Sequence, residues 1–255
     1  MISSQPRPVR PLSIRPTYRV RLATTPADLH AAQRLRFAVF NVELKEGLAA
    51  SHALGRDEDA YDAFCDHLLV ENEATGEIVG TYRLQTGQLA AAHLGYYSEQ
   101  EFDFTPYEPL RCEVVELGRA CVHRDHRHLG VLGLLWRGIV VYARERRARY
   151  LIGCSSLNSQ DATLGAGMLA FFQATGLMVN GALLTQPTPA FACPLDAVAM
   201  PCPPPPKLLR TYLAVGARIC GAPAIDREFG SIDFLTLLDL RNLSDSAAAH
   251  FGIHE

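Results

Sequence analysis

No run of about 18 uninterrupted apolar residues, the length that crosses a bilayer as a helix, occurs in this 255-residue chain. The longest apolar stretch, residues 131–142, is too short and carries Arg137. The N-terminus, MISSQPRPVRPLSIRP, holds arginine and proline where a secretory leader needs an apolar run, so a cytoplasmic location is expected. The seven cysteines are odd in number and include no C-x-x-C, which fits free thiols in a reduced compartment better than a disulfide framework. There is no internal repeat, no G-x-x-x-x-G-K-[ST] phosphate loop and no G-x-G-x-x-G turn. Gly153-Cys154-Ser155-Ser156-Leu157 lacks the second glycine of a serine-nucleophile turn. His123, His126 and His128 cluster in an arginine-rich turn whose spacing fits no metal template, so no metal is expected.

What is present is ample apolar side chain, 48% hydrophobic against 20% charged, enough for the core of one large domain. The net charge of −3 hides an uneven distribution. Residues 1–21 carry +5, residues 22–118 carry −11, residues 119–149 carry +6 and residues 150–255 carry −3. A compact basic block after an acidic half either meets something anionic or forms a solvated helix face. The first 16 residues contain four prolines, which block both helix and strand ladder, and read as a flexible basic tail. Their arginines could touch an anionic membrane surface, at about 1 kcal/mol each.

Along the chain, residues 18–23 alternate as a strand. Thr25-Pro26-Ala27-Asp28 reads as a helix start, with the helix reaching about Val42 and Leu29, Gln33, Arg36, Phe37 and Phe40 near one face. Residues 43–66 read as a long loop or short helix. Residues 67–71 and 77–85 form a hairpin around the turn at 72–76. Residues 86–111 are mixed, with a short helix at 87–94. A strand is expected at 112–122, a helix at 131–147, a strand at 150–154, and a helix at 161–175 ended by Gly176. Prolines 201 and 203–206 read as a rigid connector before a helix near 208–217 and a strand at 232–240. This order predicts an α/β or α+β sandwich with a mixed sheet.

Two features carry chemistry. Arg124-Asp125-His126-Arg127-His128-Leu129-Gly130 leads into a helix, whose free N–H groups and partial positive charge suit a phosphate. Glu116-Leu117-Gly118-Arg119 places two charges inside an apolar strand, where charges need partners or water. On a regular strand, positions 116 and 119 face opposite sides. A bulge marked by Gly118 would bring both to one face, and a structural Glu–Arg pair is the other possibility.

R-x-x-G opening a helix after a bulged central strand resembles the GNAT acyltransferases, where that turn binds a coenzyme A pyrophosphate or a phosphopantetheine phosphate. More narrowly, the chain resembles the "hemolysin-like" N-acyltransferases that make N-acyl amino acids and lyso-ornithine lipids. The matching strings are QRLRFAVF (33–40), CDHLLV (65–70), VGTYRL (79–84), GYYSEQEFDF (95–104), ELGRACV (116–122), LLWRGI (134–139) and IGCSS (152–156). It is more distantly similar to acyl-homoserine lactone synthases, whose signature is matched by Arg36 and Phe40, Asp59 and Asp62, Arg83, and Glu116 with Arg119. That signature's tryptophan after the first helix has no counterpart, since Trp136 is the only tryptophan. Leu132 also departs from the R-x-x-G-x-[GA] turn of acetyl-coenzyme A enzymes.

The resemblance implies a GNAT-like, mostly antiparallel mixed sheet flanked by helices. Residues 1–16 would be a tail and residues 17–255 one domain, with its core to about 180 and a C-terminal extension at about 181–255. The implied reaction moves a long, 3-hydroxylated acyl chain from acyl carrier protein, or from coenzyme A, to the α-amine of an amino acid such as ornithine. The donor's acyl-phosphopantetheine is a substrate, no bound cofactor is implied, and nucleic acid is not an expected partner. An ammonium is not nucleophilic, so a base must take its proton; Glu116 is the candidate. Arg119 would orient Glu116 or contact the acceptor's carboxylate. Phe40 and Asp59 join Arg36 and Asp62, which would shape the amine pocket, and Arg83, which would hold the acyl-thioester end. Arg124, Arg127 and Gly130 would hold the phosphate. Arg144 and Arg147, on one face with Arg137 by helical spacing, would dock the acidic carrier. Cys112 and Cys121 would be buried and inert. The single-chain amphiphile would leave at the inner face of the membrane. The alternatives are a lactone synthase, a small-molecule N-acetyltransferase, and a non-catalytic module binding carrier protein or membrane.

Overall fold

A computed structural model describes residues 17–199, 201–243 and 249, so the expected tail at 1–16 lies outside the described residues. Eight strands form one sheet: β1 (Tyr18–Leu22), β2 (Asp66–Asn72), β3 (Glu77–Thr86), β4 (Val114–Val122), β5 (Tyr150–Leu157), β6 (Arg218–Ile219), β7 (Ala224–Asp226) and β8 (Ser231–Asp239). The order is β1-β2-β3-β4-β5-β8-β6, with β7 on β8. Every pairing is antiparallel except β4 with β5. This is the mixed, mostly antiparallel sheet expected. Helices α1 (Pro26–Phe37), α2 (Ser51–Leu54), α3 (Gly87–Ala92), α4 (Leu129–Glu145), α5 (Ala162–Ala174) and α6 (Lys207–Ala214) surround it. Among the described residues, no helix is long and apolar enough to cross a membrane.

Helix α1 starts where its sequence directs. The Thr25 hydroxyl accepts from the Asp28 N–H at 3.2 Å and the Asp28 carboxylate accepts from the Thr25 N–H at 3.2 Å, a reciprocal cap of about 1 kcal/mol. The α-helix ends at Phe37 and widens into a π-helical turn, Ala38–Leu44, which carries Phe40 inward. Alternation along β2 splits the core: Leu68 and Val70 meet α4, while Leu69 meets α1. Trp136, Ile139 and Ala143 of α4 cover the first face; Leu35, Val39 and Phe40 cover the second. Each such burial contributes about 1.5–3 kcal/mol for a large side chain.

Several boundaries differ from expectation. Residues 105–113 form a 3-10 helix, so β4 begins at Val114 rather than at 112, and Cys112 is exposed, not buried. Helix α4 ends at Glu145, so Arg147, in left-handed backbone at φ 55°, is not on its face. The bulge in β4 is real but shifted. Thr81 pairs with Cys121 and Arg83 with Gly118, leaving Arg119 and Ala120 opposite Tyr82 alone. It is Arg119, at φ 49°, that takes the left-handed conformation, not Gly118. The extra residue turns Arg119 onto the same face as Glu116, which a regular strand would forbid.

Beside the bulge, the sterically restricted glycine is Gly153. A Cβ there would collide with the Leu117 carbonyl where β4 and β5 approach. At Gly118 a Cβ would meet only Arg83 Nε, at 4.0 Å. Gly153→Ala is therefore expected to lower stability by about 1–3 kcal/mol, and Gly118→Ala to change it by less than about 0.5 kcal/mol; urea unfolding midpoints check both.

Candidate active site

Strands β4 and β5 stay paired for only three residue pairs, Val114–Tyr150, Val115–Leu151 and Glu116–Ile152, and then part. Strand β5 continues along β8 while β4 continues along β3. A cavity of about 390 Å³ fills the fork. One wall is apolar: Tyr82, Leu117, Trp136, Leu151, Leu209 and Tyr212. The other carries Phe40, Arg83, Glu101, Glu116, Arg119, Asp226 and Asp233.

Behind the polar wall lies a buried network of three arginines and three aspartates. Arg36 donates from Nε to Asp57 at 2.9 Å and from Nη1 and Nη2 to Asp62 at 2.9 and 2.6 Å. Arg83 Nη1 donates to both Asp59 oxygens at 2.6 and 2.7 Å and to Asp62 at 3.0 Å. Arg119 Nη2 donates to Asp59 at 3.1 Å, and its Nε stands 3.7 Å from Asp57. The Tyr97 ring lies 5.1 Å from both the Arg83 and Arg119 guanidiniums, and Phe229 packs 4.7 Å from Arg119. Burial alone would raise Asp62, but the Arg36 hydrogen bonds and the Arg36 and Arg83 charges hold it well below the usual range. Asp59 is lowered likewise, against burial, by Arg83 and Arg119.

Glu116 stands apart from this network. Its two oxygens accept from the backbone N–H groups of Tyr97 and Ser98, each at 2.8 Å. Burial pushes its carboxyl above the ordinary 4.5 despite those bonds. It makes no ion pair with Arg119, so the alternative of a structural Glu–Arg pair does not hold, nor does Arg119 orient Glu116. Both side chains nevertheless face the cavity.

The remaining candidates divide. Phe40, Arg83, Glu116 and Arg119 line the cavity, and Asp59 lines an adjoining hollow. Arg36 and Asp62 sit one layer behind, supporting Arg83 and Arg119 rather than lining the cavity. At the N-terminal end of α4, Arg124 is exposed, Arg127 pairs with Glu43, and Gly130 lies in the first turn. Arg144 and Arg147 lie at the other end, about 25 Å along a 17-residue helix, around a shallow hollow with Arg149 and Arg241. Sequence reasoning missed Asp57, Glu101, Asp226 and Asp233. Asp57 had a local signal, standing two residues before Asp59, and Glu101 lies inside the matching string GYYSEQEFDF; only the folded sheet brings Glu101, Asp226 and Asp233 to the fork.

Residues 35–137 match the Acetyltransferase (GNAT) domain family. The L-ornithine N(alpha)-acyltransferase of Brucella abortus is 34% identical over 251 residues, covering 91% of this chain and 88% of that protein. The chain belongs to the L-ornithine N(alpha)-acyltransferase family. The enzyme of that name from Agrobacterium fabrum is 32% identical, covering 92% of this chain and 85% of its own. Among solved structures, FeeM, an N-acyl amino acid synthase from uncultured soil microbes, shares the fold at TM-score 0.56 and 13% identity, covering 92% of this chain and 99% of that chain. The AHL synthase LasI does so at TM-score 0.53 and 11% identity, covering 93% and 96%. This family member is thus a GNAT-fold N-acyltransferase.

Breaking the buried network is expected to be costly. Asp62→Asn leaves three buried guanidiniums against two carboxylates and should remove about 3–5 kcal/mol at pH 7. Because Asp59 and Asp62 titrate lower when folded, their stabilisation is present above about pH 4 and drains as pH falls below it. Urea unfolding at pH 7 and pH 3 should show a steep acid loss in the parent and a shallower one in the variant.

Proposed function

We propose that the protein transfers a long, 3-hydroxylated acyl chain from acyl carrier protein to the α-amine of ornithine, giving a lyso-ornithine-lipid type of N-acyl amino acid. The observation that carries this reading is the two-walled cavity in the β4–β5 fork. Its apolar wall, with Trp136 and Leu209, suits an acyl chain; its acidic wall suits an amine.

The chemistry follows from the walls. Glu116, held by two backbone amides, takes a proton from the α-ammonium. The free amine attacks the thioester carbonyl, forming the C–N bond. The backbone of β4 where it leaves β5 polarises the carbonyl oxygen. The C–S bond then breaks, and the departing thiolate takes up the second proton that the attacking nitrogen gives up as it becomes an amide. Arg119 receives the acceptor's α-carboxylate, and Arg83 with Asp59 steadies that side of the cavity. The cavity's own thiols are poor nucleophiles, since burial pushes Cys65 up to about 12 and Cys154 well above 9.0. This favours direct attack over an acyl-cysteine intermediate.

For the donor, Arg124, Arg127 and the first turn of α4 at Gly130 suit the phosphopantetheine phosphate. Given their distance from that turn, Arg144 and Arg147 could meet only the body of the acidic carrier. The long-chain product suits a cytoplasmic enzyme acting at the inner membrane face.

Purified protein with carrier-bound 3-hydroxyacyl groups and an amino acid pool should yield N-acyl ornithine by mass spectrometry. A lactone formed only with S-adenosylmethionine, or turnover only with acyl-coenzyme A, would redirect the reading. Glu116→Gln should lower turnover at least about 100-fold while retaining carrier binding. In the parent, activity should fall as pH drops through the raised Glu116 pKa, so the acid limb sits above 4.5. Arg144→Glu with Arg147→Glu should raise the carrier's KM in a salt-dependent way, and a salt-insensitive KM removes that dock.

A further inference from the structure

The polar wall of the cavity is not electrically balanced. Arg83 and Arg119, its two arginines, are already committed to Asp57, Asp59 and Asp62. That leaves Glu46, Glu101, Glu116, Asp226 and Asp233 facing the space with no cation of their own. Most of these carboxylates have fixed neighbours. Asp233 accepts from the hydroxyls of Ser156 and Ser231, and Asp226 accepts from the N–H groups of Glu228 and Phe229.

Glu101 does not. The residue is only 2% exposed, yet the one hydrogen bond to its carboxyl is from the Cys154 thiol, at 3.8 Å, and its charged neighbours include Asp226 and Asp233. A carboxyl buried beside Asp226 and Asp233 with so weak a donor is pushed well above its ordinary range, and a cation placed next to it would favour its charged form. Glu101 also lies where the main cavity meets the second hollow, which it lines together with Tyr97, Arg119 and Asp226. It therefore stands beside the arginine assigned to the acceptor's carboxylate and away from the apolar wall.

We propose that Glu101, with Asp226 and Asp233, receives the side-chain ammonium of a diamino acid acceptor and so makes the enzyme select such acceptors over monoamino acids. This rests on the N-acyltransferase reading above. An acceptor with two ammonium groups and one carboxylate then meets Glu116, Arg119 and the Glu101 cluster, one charged group to each. Glu101 acts in binding; the proton transfer stays with Glu116.

The test uses the full chain with carrier-bound acyl donor and two acceptors of equal carbon length, ornithine and norvaline, which lacks the side-chain amine. The parent should prefer ornithine in kcat/KM by at least about 100-fold. In Glu101→Gln, and in Glu101→Gln combined with Asp226→Asn, that ratio should collapse towards one, mainly through the KM for ornithine. Ornithine should raise the parent's melting temperature more than norvaline does, and Glu101→Gln should abolish the difference. Equal losses on both acceptors, or an unchanged ratio, overturn the subsite, as does a parent that does not discriminate. A parent that acylates neither amino acid instead overturns the acyltransferase reading itself, and the parent measurement alone separates that failure from the first. Because Glu101→Gln replaces a buried carboxyl whose one hydrogen bond is from the Cys154 thiol, the variant should unfold no earlier than the parent; if the double variant fails to fold, the single variant decides.

Discussion

Three guanidiniums buried against one another require three carboxylates, and the polar half of this protein is organised by that requirement. Arg36 comes from α1, Arg83 from β3 and Arg119 from β4, so the aspartates that neutralise them tie three elements together. The aspartates all lie within residues 57–62, a segment with little apolar side chain to anchor it. The arginines hold that segment to the sheet, and the segment in turn keeps like charges from expelling one another. The left-handed backbone at Arg119, which costs about 1–3 kcal/mol, is offset by the pairing of its guanidinium with Asp57 and Asp59.

The same bulge helps to part the central strands. Beyond Glu116 the β4 ladder no longer matches β5, and Gly153 allows the last close approach before they separate. Strand β8 then supports β5 over eight residue pairs, from Tyr150–Asp239 to Leu157–Ile232, so that the fork opens without unravelling. A segment that read as an extension in sequence thus forms one side of the cleft. The Tyr82 and Tyr212 hydroxyls bond across the apolar wall, joining β3 to α6.

How much of this could be read beforehand depended on range. The α1 cap is local and was legible, because Thr25, Pro26 and Asp28 are neighbours. The Glu116–Arg119 spacing pointed to a bulge, but the residue in left-handed backbone could not be read, because what holds it there is Asp59, 60 residues away. The residue pattern alone placed Arg36 on a helix face and Arg119 inside a strand; their roles, and Arg83, Asp59 and Asp62, came from family resemblance. Glu101 lies in a string that matches the family but carries no role there, and Asp226 and Asp233 are ordinary acids in their local context. The end of α4 was misjudged because Arg144, Arg146 and Arg147 are all good helix formers, while Ala148 and Arg149 must turn back to start β5; the Arg149 N–H bonds to the Glu113 carbonyl to do so.

A sandwich normally keeps its two faces apart, since each strand sends alternate side chains to opposite sides. Here Tyr82 and Leu117 face the α4 side, and Arg83 and Glu116 face the α1 side, one residue away in each case. A molecule touching only one face would meet either hydrocarbon or charge. Where β4 and β5 part, the sheet itself is missing, and the two faces share one space. The proposed joining of a lipid-like acyl group to a zwitterionic amine requires such a space: the acyl chain would stay among Trp136 and Leu209 while the carbonyl carbon reached the side that holds Glu116 and Arg119. The fork therefore does more than make room. In the proposed reaction it would set the reacting bond at the level of the fold where the surroundings change from hydrocarbon to carboxylate, so that each substrate would be drawn to its own side and the two would meet between.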